Sequence, residues 1–264
     1  DQQLRVVTDL GHASMSMFSV VIAIVLGSSL LYKEIERKTL YEILPKPIAR
    51  FEFLLGKYFG IVATCAVFIA IMGALQLLVA AIQAGAPTVL VIVIPSLLLL
   101  ALGVGFFFAT DRTLVVPVWS LVALCATAWL ASTVDVELFR LLASLVLNLG
   151  EVLILTAVAL LFSSFSTPFL TGAFTFGVWL VGRAAHDMVA MKTRVLSPAM
   201  KELLRWLAEV VPNFNLFVPG RSTLAVKDYT EPLAYVAMSM GYAVLYAGAT
   251  LFIAALIFRR RDFL

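Results

Sequence analysis

The sequence predicts an all-α, polytopic membrane protein, a bundle of about seven spanning helices. Three observations carry this. Hydrophobic residues make up 62% of the 264-residue chain, charged residues only 13%, and mean hydropathy is +1.03; a soluble domain is about half apolar and a quarter charged. The apolar residues fall into runs of roughly the 20 residues that a helix needs to cross the hydrocarbon core. No alternating pattern of a β-barrel accompanies them, and backbone groups in lipid must be paired internally, which leaves the α-helix.

The runs, in order, are Met15–Leu31, Tyr58–Ala81, Val89–Phe108, Leu114–Ala131, Leu141–Phe162, Phe165–Ala185 and Ala234–Phe258. Val89–Ala131 is read as two spans joined by a tight Asp111-Arg112 turn, because parity then leaves both strongly basic segments on one side. Those segments are Lys33–Lys57, with Lys33, Arg37, Lys38, Lys46, Arg50 and Lys57, and the Arg259-Arg260-Arg261 tail. Short loops rich in Lys and Arg stay cytoplasmic, so the C-terminus is expected inside. The Asp187–Glu231 loop is expected outside, its six basic residues being spread out and mixed with five acids. Within it Met200, Leu203, Leu204, Leu207 and Val211 recur at helical spacing and Trp206 suits an interface, so an amphipathic helix is expected there, stopped by Pro212-Asn213.

Charge and cysteines exclude several classes. A formal charge of +3 sits in membrane-flanking clusters, a pattern that gives no footing for nucleic acid. Cys65 and Cys125 fall inside apolar runs and are expected as packed thiols, not a disulfide or metal pair. His12 and His186 are expected at polar helix ends; Asp9 lies near the first, Asp187, Met188 and Met191 near the second, but no metal-ligand spacing appears on one helix. Leu55-Gly56-Lys57 lacks the first glycine and the Ser/Thr of a phosphate-binding loop, so no ATP site, cofactor or metal is expected in the chain itself. No serine has an evident histidine partner, which disfavours a membrane hydrolase.

The Lys33–Lys57 island (KEIERKTLYEILPKPIARFEFLLGK) places ten charged side chains between two apolar runs. Tyr32–Leu44 either continues the preceding helix or forms a short one of its own. Pro45 and Pro47 end it, since proline lacks the backbone donor and restricts the residue before it, and Pro47 can open the next helix. Arg50, Glu52 and Lys57 flank Phe51, Phe53, Leu54 and Leu55, a pattern that lies in the interface before turning into the span from Tyr58. The bland reading is a snorkelling topology anchor; the sharper one is a rigid docking element for a soluble partner.

Glu34-x-Glu36-Arg37-Lys38-Thr39, followed by Leu44-Pro45-Lys46-Pro47-x-x-Arg50-x-x-Phe53-Leu54-Leu55-Gly56-Lys57, resembles the signature of ABC-2 type transporter permeases. It is closest to the branch for multicopper-enzyme maturation, which includes the nitrous oxide reductase accessory permease. Leu161–Ser166 is similar to that family's short hairpin, Val211-Pro212-Asn213-Phe214 to the end of its external loop, and Ile257–Phe263 to its C-terminus. The resemblance covers most of the chain except about Ala84–Glu137, which looks like an inserted helical hairpin.

The resemblance implies one permease domain over residues 1–264, with a further span upstream of Asp1. It implies a coupling element at Glu34, Glu36, Arg37, Lys38, Thr39, Pro45, Pro47, Arg50, Gly56 and Lys57 that rests on an ATPase subunit. Two ATPase copies, binding ATP and magnesium, would serve a dimer of permease chains, identical or not, surrounded by lipid in a bacterial or archaeal plasma membrane. The permease would move an unidentified cargo and do no covalent chemistry. A membrane scaffold or assembly factor that recruits a soluble partner without transport is the competing class.

Asn148 and Glu151 are the polar residues near the middle of a span. A carboxylate there must face protein or a wet cavity, be paired, or be protonated. It either lines the path or the subunit interface, or is a neutral acid bonded to Asn148, a hydroxyl or backbone. Arg183, near the end of its run with His186, is expected to snorkel.

Overall fold

A computed structural model describes residues 2–36, 50–190, 202, 206, 210–218 and 230–260. Among the described residues seven long helices follow one another: α1 (Gln2–Glu36), α2 (Arg50–Gln83), α3 (Thr88–Phe108), α4 (Val115–Ser132), α5 (Leu138–Ser163), α6 (Pro168–Ala190) and α7 (Thr230–Arg260). Short 3₁₀ turns stand at Arg112–Leu114 and Phe214–Phe217, and no strand occurs among the described residues.

Six of these helices hold stretches long and apolar enough to cross a membrane: Asp9–Ser29, Phe51–Gln83, Thr88–Phe108, Arg112–Ser132, Leu138–Ser163 and Pro232–Ile257. Their number and length fit a multi-pass membrane protein. The expected span Phe165–Ala185, sixth in order, coincides with α6, which is helical but stands outside the six. It carries Arg183, Thr171, Thr175 and three glycines among its apolar residues.

Two sequence expectations change at helix ends. α1 begins well before Met15, so His12 is not at a helix end; it lies inside α1 and is buried. The expected turn from the interface into the span near Tyr58 does not occur, because α2 runs without a break from Arg50 to Gln83. Nothing in Phe51–Tyr58 removes a backbone donor or imposes a left-handed turn, and Leu54 already packs as a fully buried residue. At the other end of α2 the stop is built in. Gly85 takes φ +82°, its N–H bonds to the Ile82 carbonyl, and Ala86 N–H reaches back to Ala81. This is a Schellman closure, in which the left-handed residue lets the chain turn back on the last carbonyls. Pro87 follows and opens α3.

The chain packs as two compact units, Asp1–Ser19 with Ala63–Leu149, and Val20–Val62 with Gly150–Leu264. The first has a core of Leu77, Ala80, Ala81, Leu130, Ala131 and Leu141, against which Leu90, Val91 and Ile94 of α3 pack. α3 has no buried residue of its own. It is tied to α4 by the Trp119 indole N–H, which donates to the Leu98 carbonyl at 2.7 Å. Cys125 of α4 is exposed, against the expectation of a packed thiol, whereas Cys65 of α2 is buried. Helix periodicity decides between them: the buried positions of α4 are Ser120, Ala123, Thr127, Leu130 and Ala131, and Cys125 falls on the other side.

The core of the second unit is α5. Val152, Ile154, Leu155, Ala157, Ala159 and Leu160 are fully buried, an all-round burial that marks a central helix in a membrane bundle as it does in a large soluble core. Tyr58 of α2 donates its hydroxyl to the Leu153 carbonyl of this helix.

Candidate functional site

The second unit holds a buried charge centre. Glu151 sits on α5 with no exposed surface. Its Oε1 accepts two hydrogen bonds, from Trp179 Nε1–H at 2.7 Å and from Arg183 Nη1 at 2.7 Å. Both donors come from α6 and are four residues apart, so one face of that helix presents them together. The Arg183 guanidinium also lies 5.4 Å from the centre of the Trp179 ring, within cation–π range, and Phe176 packs on Trp179 at 5.6 Å between centroids. A charge that would be costly in lipid is thus met by an opposite charge, an indole donor and an aromatic face.

The Val210–Val218 segment comes close to both helices beside this centre. Gly150 precedes Glu151, and a Cβ there would stand 2.6 Å from a Phe217 ring carbon and 3.0 Å from the Met240 sulfur. Gly182 precedes Arg183, and a Cβ there would collide with the Pro212 carbonyl oxygen and approach a Phe214 ring carbon to 2.7 Å. Only glycine permits both approaches. Phe214 and Phe217 are fully buried as a result. The segment is fastened from within by Asn213, whose Oδ1 accepts the Asn215 N–H.

It is fastened from outside by α7. Tyr242 accepts the Asn213 N–H at 3.1 Å, Tyr235 donates to the Leu216 carbonyl at 2.6 Å, and Tyr246 donates to the Val210 carbonyl at 3.1 Å. These tyrosines recur at helical spacing along one side of α7.

Asn148, the other polar residue expected near the middle of α5, belongs to the first unit. It is fully buried and accepts a hydrogen bond from Ser19 of α1 at 3.0 Å. Glu151 bonds to Trp179 and Arg183, and Arg183 turns to Glu151 instead of standing as a lone snorkelling anchor. The expectation for Arg183 failed because it weighed the residue's position near a helix end and not its possible partner. Two isolated opposite charges in neighbouring apolar segments were the signal that could have found the pair. The glycine contacts had no comparable signal, since Gly150 and Gly182 are two among 15 glycines.

The charged island divides. Glu34 and Glu36 lie on the last turns of α1, and Arg50, Gly56 and Lys57 lie on the first turns of α2. Gly56 is exposed, and the Lys57 ammonium stands 5.5 Å from the Phe53 ring centre. Arg37, Lys38, Thr39, Pro45 and Pro47 lie outside the described residues. So does most of the expected amphipathic helix around Met200–Val211, of which Glu202, Trp206 and Val210 are helical and exposed. Among the described residues no three His, Cys, Asp or Glu side chains gather as a metal set.

No family model, curated protein or solved structure matches the chain. Its functional reading stands on its own residues.

Proposed function

We propose that this chain is the membrane-spanning permease subunit of an ABC-2 type transporter, moving a cargo across the membrane with energy from a separate ATPase subunit. The observation that carries the reading is the Lys33–Lys57 island. Ten charged side chains and two prolines are set between two long apolar helices. The motif around it resembles the coupling segment of that family. Glu34 and Glu36 stand on the helix that leads into the island, and Arg50 opens the helix that leaves it.

Force from ATPase closure reaches a membrane subunit only through contacts that differ between two states. A charge-dense segment with two prolines would supply such contacts. Two permease chains would share the pathway, and each would rest on one ATPase.

The test is co-purification of the chain with an ATPase from its native membrane, then ATP hydrolysis in liposomes. Arg37→Glu and Arg50→Glu are expected to weaken association or coupling by about 1–3 kcal/mol, toward the low end of what close interfacial charge pairs contribute. Lys192→Glu and Lys227→Glu, in the loop expected on the other side, should leave both intact. Full association and normal coupling in the island variants would overturn the reading. A soluble partner that binds the island without hydrolysing ATP would establish the scaffold reading instead.

A further inference from the structure

The Glu151–Arg183 pair and the Val210–Val218 segment act on the same two helices. The pair joins α5 to α6 through side chains. The segment rests on α5 at Gly150 and on α6 at Gly182, each one residue from a member of the pair. We propose that Val210–Val218 is a latch: docked, it holds α5 against α6 and keeps water from the Glu151 carboxylate, and lifted, it lets water reach the pair and loosens it.

The composition of the segment suits a seal. Its nine residues, VVPNFNLFV, carry no charge, so docking it beside a buried ion pair brings no competing partner. Phe214 and Phe217 bury whole rings, and aromatic rings exclude water over a large area. The pair itself is asymmetric: Glu151 has no exposed surface, while the Arg183 side chain keeps 26% of its own. The carboxylate is the member with no route to water while the segment is docked.

The ties that hold the segment suit release. Among the described residues no regular ladder of backbone bonds anchors it. Asn213 N–H and the Leu216 and Val210 carbonyls go to tyrosine hydroxyls of α7, and Asn215 N–H goes to a side chain. Each of these can be exchanged for water singly, without unwinding a helix. Because all three tyrosines lie on α7, a shift of that helix acts on the whole segment at once. Coupling of this kind is reciprocal: whatever lifts the segment must weaken the pair, and whatever breaks the pair must loosen the segment. The latch stands independently of whether the chain transports anything.

The test uses the full chain in lipid nanodiscs and two readouts. The first is labelling of carboxylates by a water-soluble carbodiimide with an added amine, located by mass spectrometry. Glu137, whose side chain is 74% exposed, is the internal reference. The second is amide hydrogen exchange in peptides covering 210–218.

In the unaltered chain Glu137 is expected to label at least tenfold faster than Glu151. Tyr235→Phe combined with Tyr242→Phe removes two ties without changing a ring, and Gly182→Ala drives a methyl into the docked segment. Both are expected to raise exchange in 210–218 and to raise Glu151 labelling at least fivefold together. Gly177→Ala, on the same helix with nothing near the added methyl, is expected to change neither. Arg183→Gln is expected to raise exchange in 210–218. Should Gly182→Ala not fold, the tyrosine variant carries the test alone. Three results would overturn the latch: Glu151 labelling as fast as Glu137 in the unaltered chain, exchange in 210–218 rising with Glu151 still unlabelled, or no rise in exchange when the tyrosine hydroxyls are gone.

Discussion

At Glu151 the balance of energies decides what a substitution does. Removing one member of a buried ion pair leaves the other charged and without its counterpart, at a cost of about 3–5 kcal/mol, whereas replacing both is often nearly neutral. Arg183 is a quarter exposed and can be rehydrated in part, so Glu151→Gln belongs at or below the low end of that range. Arg183→Gln should cost more, because it strands a carboxylate that has no exposed surface. The double replacement Glu151→Gln with Arg183→Gln should cost less than the sum of the two. Thermal unfolding of the four proteins in one detergent checks this; additive losses would show that the two side chains do not depend on one another. Trp179→Phe keeps the ring near Arg183 but deletes one charge-assisted hydrogen bond to Glu151, worth about 1.5–3 kcal/mol. How much of this the sequence disclosed is instructive. The isolated acid was visible because a carboxylate in an apolar run breaks the pattern. Its partner was not assigned, since Arg183 is 32 residues away and helix periodicity says nothing about which faces of two helices meet.

Helices were legible where composition alone decides them. The Thr88–Phe108 and Val115–Ser132 hairpin lies where two apolar runs flank Asp111-Arg112. Helix ends were less legible, because they depend on backbone bonding. α1 starts earlier than its apolar run, and α2 runs straight through the charged stretch where a turn into the span was expected. The stop of α2 rests on one residue that composition does not distinguish. Gly85→Ala would force a side chain into the left-handed region at φ +82°, at a cost of roughly 1–2 kcal/mol. Gly103→Ala, within α3 and with nothing near the new methyl, should be neutral or stabilising by up to about 1 kcal/mol, the difference in helix propensity. Denaturation midpoints of the two variants should therefore move apart. Equal midpoints would mean that the turn after α2 contributes nothing to stability.

Across the whole molecule, span parity and charge predict sidedness. A background lacking Cys125, the exposed native thiol, is needed first. In it, a single cysteine at Lys46 is expected to resist an impermeant reagent applied to intact cells, and one at Lys227 to react. The opposite pattern would invert the orientation and detach the island from any cytoplasmic partner. Length adds a second constraint. α1 and α2, of 35 and 34 residues, are each about 50 Å long at 1.5 Å per residue. The hydrocarbon core is about 30 Å thick, so each must tilt or stand clear of it. The charges of Glu34, Glu36 and Arg50 sit on helix ends that meet this excess.

α3 puts a different demand on the molecule. A helix with no buried residue owes little of its place to jigsaw fit and much to the medium around it. In a membrane its exposed side would meet acyl chains, and those chains are replaced whenever the protein is extracted. The medium is in that sense a structural component of the first unit and a bystander to α5. Two preparations with the same covalent chain can then differ in the order of α3 while agreeing in the buried interior. Lipid composition becomes a variable of the fold at α3 and not at α5.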